Sequence, residues 1–490
     1  MNVILAGFNL DYETIKELQK VLPDADNLTP ETISAAYARI SRNPRPVNEL
    51  RAISRREVDK ARKSNQVIVF DMGHNSVAEH AVFNIDIIGT SRLIVEEIEK
   101  FRLCSYTEKS QRYIRLADDY VLPEEIMSSG LATPFKEQIE AQNRLYHRLY
   151  ERLKVYVFDI HDDLAADPKN HSMLDGWAKE DARYVISLAT EAQLGMTVNA
   201  RNLELMIRRC AAHPLSEVRQ YGQKLYEATC RVAPSLVRYT DATDYDSCTR
   251  GALNDAARAL TEKYMAVNTT EAPGRQDHNV TLYHVTPGAD DTIIASLLHA
   301  SARMPMGTCR TIVSRMTQDE KELVFRTAWQ HMQSYDPPLR EFENVDLHFE
   351  IIMSASCFAQ FKRHRMATII AQEYDPSLGV TVPPAVDAVG LRDAFMDIMS
   401  TTDKLYYRIK DTSREAAAYI LTNAHRKRVL AKVNTRELYH MARLREDRHA
   451  QWDIRQTTER MVRLGKHVMP LTLQLACGKD RFKICYNELF

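Results

Sequence analysis

The chain has 490 residues, with 65 lysines and arginines against 66 aspartates and glutamates. A formal net charge of -1 gives no reason to expect a nucleic-acid or membrane surface, and the basic clusters are local. With 44% apolar and 27% charged residues the composition is that of a soluble globular protein, and the length exceeds one ordinary core, so two domains are expected.

Asn2-Val3-Ile4-Leu5 opens the chain as a first strand; it lacks the basic flank and cleavage site of a signal peptide. No uninterrupted apolar segment approaches membrane-spanning length. Eight cysteines occur without a Cys-x-x-Cys pair, which points to free thiols in a reducing cytoplasm. The 15 glycines form no phosphate loop and no dinucleotide fingerprint, so a flavin would need a different fold to hold it.

In chain order, the two halves repeat the same sequence of elements. The opening strand has its partner in Asn279-Val280-Thr281-Leu282-Tyr283. A helical stretch follows in both, ending near Ala36–Ser41 and near His299–Arg303. After Glu79, Phe83, Ile85 and Ile87 share one strand face; after Glu343, Val345, Leu347, Phe349 and Ile351 do so. Each strand runs into a helix that leads to an Arg-rich segment. Val198-Asn199-Ala200-Arg201 is matched by Val433-Asn434-Thr435-Arg436, and an amphipathic helix follows each, leading to Pro234 and Pro470. Asn-x-Arg before a helix is also ordinary capping chemistry, with a solvated arginine. Five ordered motifs occurring twice are harder to explain that way.

The spacings agree with duplication. Glu79 to Arg102 is 23 positions and Glu343 to Arg365 is 22; Asn199 to Arg219 is 20 and Asn434 to Arg455 is 21. Arg102 to Asn199 is 97 positions against 69 from Arg365 to Asn434, which places about 28 extra residues in the first copy, within 118–171. The copies are expected at 1–255 and 278–490, with a turn-rich linker over 256–277.

The segment Arg102–Tyr113 concentrates a carboxylate, hydroxyls, an amide and an arginine. Such a set suits a phosphorylated, hydroxylated ligand: Arg112 can fork onto phosphate, Glu108 can accept from a sugar hydroxyl and Ser110 can donate. The segment resembles the Arg-His-Arg-x-x-Ser-x-Asn-Glu-x-Ser-x-Arg-Tyr motif of the flavin-dependent thymidylate synthases. Here Lys100-Phe101 stands in place of Arg-His, while Ser105, Glu108, Ser110, Arg112 and Tyr113 are kept. Downstream, Arg363-His364-Arg365 is intact and the rest of the motif is lost. Gly73-His74-Asn75-Ser76-Val77-Ala78-Glu79-His80 is similar to the family's Gly-His-x-x-x-x-Glu-His. The six-residue separation of His74 and His80 does not suit usual zinc spacing, so no metal is expected.

The resemblance implies an α+β fold in two tandem copies of a sheet-plus-helices domain. It implies reductive methylation of dUMP with FAD, and with NADPH and methylenetetrahydrofolate as co-substrates. The implied nucleotide contacts are Glu108, Ser110, Gln111, Arg112, Tyr113, Arg183, Gln360 and Arg445, with Arg445 on the uracil ring. The implied cofactor contacts are His74, Glu79, Arg102, Ser105, Asn199, Arg201, Arg363, His364, Arg365, Asn434, Arg436 and His440; of these His74 and Arg363 would join Arg445 in the chemistry. In the first copy the position of Arg445 is open among Arg208, Arg209 and Cys210. Arg183 falls sixteen positions before Asn199, where the second copy has Ala418. The losses are complementary, so composite sites pairing copy one with copy two are expected, with two chains forming a pseudo-tetramer. A relative acting on another pyrimidine nucleotide, and a non-catalytic flavin- or nucleotide-binding paralogue, are the other readings.

Overall fold

The computed structural model describes residues 1–18, 20, 28–40, 43–112, 114–116, 118–265 and 279–490. Two four-stranded antiparallel sheets are present. The first orders its strands β1 (Asn2–Phe8), β2 (Val82–Ser91), β4 (Glu191–Asn199), β3 (Ser105–Glu108) as β1-β2-β4-β3. The second repeats that order as β5-β6-β8-β7, with β5 Val280–Val285, β6 Asp346–Ser354, β7 Thr368–Tyr374 and β8 Arg426–Asn434. The α+β class and the tandem repeat are therefore as expected, and the two copies share one strand order.

Period-two burial drives both sheets. Phe83, Ile85 and Ile87 of β2 are buried, as are Leu347, Phe349 and Ile351 of β6. The opposite face of each strand carries polar residues such as Asn84, Asp86, His348 and Glu350. Within the Arg-rich segment of the first copy, Ser105–Glu108 is a short strand that pairs with β4 through Ser105 opposite Thr197 and Glu108 opposite Leu194. In the second copy the lost motif is replaced by Thr368-Ile369-Ile370, β-branched residues that start the longer strand β7.

The helices after the strands begin on local capping chemistry. Ser91 accepts from the Ile94 amide at the start of Arg92–Ile98, and Ser354 from the Cys357 amide at the start of Ala355–Phe361. Asn199 and Asn434 cap Ala200–Ala211 and Thr435–Arg445 in the same manner. The extra residues of the first copy lie between β3 and β4. There a helix of 29 residues, Ala132–Ile160, stands where the second copy has 19 residues, Arg392–Lys410, and additional helical turns run on to Ala182. Residues 256–265, expected as linker, continue the helix Asp244–Met265; the remainder of the expected linker lies outside the described residues.

The compact units do not follow the two halves of the sequence. One unit holds most of the first half together with Ser400–Leu421 of the second. The other holds most of the second half together with Glu180–Val185 of the first. The exchange is reciprocal in its chemistry. In the first unit, the Leu188 amide donates to the Leu421 carbonyl (2.7 Å) and the Ala189 amide to the Tyr419 carbonyl (3.0 Å). In the second, the Ala424 amide donates to the Tyr184 carbonyl (2.9 Å) and the Asn423 side-chain amide to the Arg183 carbonyl (3.0 Å).

Each exchanged segment brings a tyrosine to a buried carboxylate. Tyr419 OH donates to Glu217 (2.7 Å), which also accepts from the Ser91 amide and hydroxyl, both at 2.8 Å. Tyr184 OH donates to Asp453 (2.9 Å), which also accepts from the Ser354 hydroxyl (2.5 Å). A capping serine, a carboxylate and the other half's tyrosine thus recur in both units. Both tyrosines stand fifteen positions before the capping asparagine of their own copy.

Candidate functional site

Equal cap-to-residue spacing settles which residues correspond. Asn199 to Cys210 and Asn434 to Arg445 are each eleven positions, inside uninterrupted helices. Cys210, not Arg208 or Arg209, therefore occupies the place of Arg445. Burial pushes the Cys210 thiol up to about 12. Arg208 and Arg209 are both committed to Asp246, at 3.1 and 2.8 Å.

The remaining first-copy positions are likewise filled by groups that satisfy one another. Glu97, in the place of Gln360, lies 2.5 Å from Lys100 and 3.5 Å from His213. Burial raises the Glu97 carboxyl, but His213 and Lys100 outweigh it and hold it well below the usual carboxylate range. Phe101 stands where the second copy has His364, and the exchanged segment contributes Ala418 where the other unit receives Arg183.

The second unit is arranged differently. Arg445 donates from Nε to His364 Nε2 (3.0 Å) and from Nη2 to the Gln360 carbonyl (3.1 Å). His364 Nδ1 lies 3.0 Å from Glu437 Oε1. Gln360 donates to Gln451 (3.2 Å), Gln451 to the Tyr184 hydroxyl (2.8 Å), and Tyr184 to Asp453. Tyr184 stacks on Trp452 at 5.7 Å, and the Trp452 indole donates to Asp181 (2.7 Å). A hydrogen-bonded chain therefore runs from Arg445 through Gln360 and Gln451 into the exchanged first-copy segment. Arg183, on that segment, is buried, and its Nε has no hydrogen-bond partner among the described residues. A buried guanidinium with an unused donor is suited to an anion.

Charge in this unit is concentrated and desolvated. Burial lowers the pKa of Arg445, and the charge of Arg363 adds to that effect. Burial raises the carboxyl of Asp181 to about 7, partly countered by the Trp452 hydrogen bond. Asp181 then binds a proton in the folded state over a range where the unfolded carboxyl has lost it, so stability falls as pH rises from about 4 to about 7. Asp181→Asn is expected to remove that slope, gaining on the parent steadily across the window. Urea titrations at several pH values measure it, and parallel curves for the two proteins would contradict the assignment.

The predicted cofactor residues divide between two kinds of place. Glu79 pairs with Arg201 (2.5 Å), and Glu343 with Arg436 (3.0 Å), the same ion pair in both copies. Arg436 also donates to the Pro338 carbonyl (2.8 Å). Asn199 and Asn434 spend their side-chain oxygens on helix caps. His74 is exposed at the start of the 3-10 turn Asn75–His80, and Arg102 and Ser105 are exposed beside β3. Arg363 is half-buried next to the buried His364, and Arg365 is exposed. Arg436 and His440 line a cleft with Arg443, Lys479, Tyr439 and Phe482. Cationic and aromatic walls together suit a flat ring carrying an anionic group.

Glu108, Ser110, Gln111 and Arg112 belong to the first unit and Arg445 to the second. Glu108 lies 3.9 Å from the buried Arg92, and the Ser110 hydroxyl accepts from the Arg112 amide (3.2 Å). Tyr113 lies outside the described residues. His364, Glu437 and His440 hold their ligand atoms within 4.8 Å of one another. Arg445 sits on His364 and Arg443 lies 3.3 Å from His440, so a cation there would meet two guanidinium groups.

Sequence reading passed over Tyr184, Tyr419, Glu437 and Asp181. The equal spacing of the two tyrosines before Asn199 and Asn434 was an available signal. No helix among the described residues is long and apolar enough to cross a membrane.

Comparison with known proteins agrees with the repeat. The family model described as thymidylate synthase complementing protein matches twice, over residues 25–235 and 281–471. A flavin-dependent thymidylate synthase of Clostridium tetani is 28% identical over 240 residues, covering 48% of this chain and 92% of that protein. UPF0159 protein Ta1429 of Thermoplasma acidophilum is 23% identical over 482 residues, 89% of this chain and 93% of that one. A UPF0159 protein of Chlamydia muridarum is 21% identical over 402 residues, 79% of this chain and 75% of that one.

Proposed function

Because the chain belongs to the thymidylate synthase complementing protein family and carries its domain twice, we propose that it is a flavin-dependent thymidylate synthase. The reaction is reductive methylation of C5 of dUMP, with methylenetetrahydrofolate as carbon donor and NADPH as the source of electrons. One observation carries this reading. The second unit gathers Gln360, His364 and Arg445 with Arg183 from the first copy, while the matching first-unit positions hold Glu97, Phe101, Cys210 and Ala418. Polar groups retained in one unit and replaced in the other point to ligand chemistry, because the fold closes equally well around both sets.

Arg183 neutralises the nucleotide phosphate, and Arg112 with Glu108 and Ser110 of the first copy serves phosphate and sugar. Arg445 stabilises negative charge developing on the uracil ring, in a desolvated setting that strengthens it. The cleft bounded by Arg436, His440, Arg443 and Phe482 holds the flavin, which supplies the reducing electrons when bound. Two chains pair as a pseudo-tetramer with two productive sites, and the protein works in the cytoplasm.

Tritium release from 5-tritiated dUMP tests the proposal. Release is expected only when FAD, NADPH and methylenetetrahydrofolate are all supplied. Flavin binding without dUMP-dependent release would instead favour another pyrimidine nucleotide or a binding-only role.

A further inference from the structure

Arg445 is held through buried His364 and, behind it, through buried Glu437, to which the reading above gives no part. Resting on that reading's assignment of Arg445 to the pyrimidine, we propose that Glu437 is a positioning residue that holds the Arg445 guanidinium in place by fixing the tautomer of His364.

The geometry leaves His364 one arrangement. Arg445 Nε–H can only donate, so the His364 Nε2 it meets at 3.0 Å must be an unprotonated acceptor. The ring proton then sits on Nδ1, 3.0 Å from Glu437 Oε1, which accepts it. Glu437 and His364 are 7% and 3% exposed, so water does not compete for either contact. Glu437 lies in the first turn of Thr435–Arg445 and Arg445 in the last, so the relay ties both ends of one helix to His364. Its neutrality is supported by what faces it: burial lowers its pKa, Glu437 opposes that, and Arg445 and His440 add to it.

In the first copy all three members are different. Asn202 replaces Glu437, Phe101 replaces His364 and Cys210 replaces Arg445. A glutamate kept only for helix stability would have no reason to change together with the histidine and arginine it serves.

Histidine-selective 15N labelling reads the tautomer without substrate; signals lost in His364→Phe identify the residue. The proton is expected on Nδ1 in the parent, and on Nε2 or exchanging between the nitrogens in Glu437→Leu. The Kd for dUMP, by calorimetry, should rise about 10- to 100-fold in Glu437→Leu, as when other tautomer-fixing partners are removed. Flavin affinity, read by fluorescence, should hold. Glu437→Gln keeps an acceptor for Nδ1 and should restore most of the dUMP affinity. Its lost charge removes a group that favours protonated His364, so the acid limb of dUMP binding should move to lower pH. A parent tautomer on Nε2, an unchanged Kd in Glu437→Leu, or an unmoved acid limb in Glu437→Gln would each overturn the relay. If the parent binds no dUMP, the substrate reading fails by itself, and the tautomer measurement still decides the relay.

Discussion

Alanine at Arg445 is expected to lower dUMP-dependent tritium release by about 100- to 1000-fold, the loss that follows removal of one preorganised donor to developing charge. The same change at Arg208 or Arg209 should leave release within about twofold, as for surface positions away from a site. Both first-copy arginines pair with Asp246, and the true counterpart of Arg445 is the buried Cys210. The contrast separates a single functional unit from two equivalent ones. If Arg209→Ala proved as damaging as Arg445→Ala, the first unit would carry an active centre of its own. Circular dichroism on each variant excludes unfolding as the cause.

The largest effect on stability is expected at Glu217. Its carboxylate accepts from the Ser91 amide and hydroxyl at 2.8 Å and from Tyr419 at 2.7 Å, with the Thr90 hydroxyl at 3.3 Å. All four residues are buried. Glu217→Ala removes the acceptor and leaves those donors without water or partner, a loss of about 3–5 kcal/mol by the measure of other broken buried polar clusters. Tyr419→Phe removes one donor with its acceptor still served, and should cost about 1 kcal/mol. Urea unfolding measures both. A Glu217→Ala loss below that of Tyr419→Phe would mean the cluster is not what joins Ser400–Leu421 to its unit.

The strands and their capped helices could be read from the chain because their causes are local. Alternation in Phe83-x-Ile85-x-Ile87 needs only one sheet face to be buried, and a side-chain oxygen at Asn199 needs only the amide three residues on. The repeat was readable for the same reason, doubled. The strand Ser105–Glu108 is not legible in the chain, since four residues are at the short limit of a readable alternation and its place is decided by the neighbouring strand β4. The register at Cys210 rests on both helices running unbroken from their caps, which the chain alone does not show. The exchange of Glu180–Val185 against Ser400–Leu421 could not be read at all. It depends on partners more than 200 positions away, such as Tyr419 for Glu217, and nothing local in either segment marks the destination. For the same reason nothing local marks Glu437, a first-turn acid of its helix whose carboxylate serves His364, 73 positions earlier.

The reciprocal exchange also sets a timetable for synthesis. The first half leaves the ribosome with Glu217 and its serine ready but without Tyr419, which is made some 200 residues later. At about 5–20 residues per second, that interval is on the order of ten seconds or more. Throughout it the nascent first unit has a buried-acid position lacking one of its donors and a backbone edge at Leu188 and Ala189 without Leu421 and Tyr419 to receive it. The first unit therefore cannot finish folding as it emerges, and must wait, open at that edge, for the second half of its own chain.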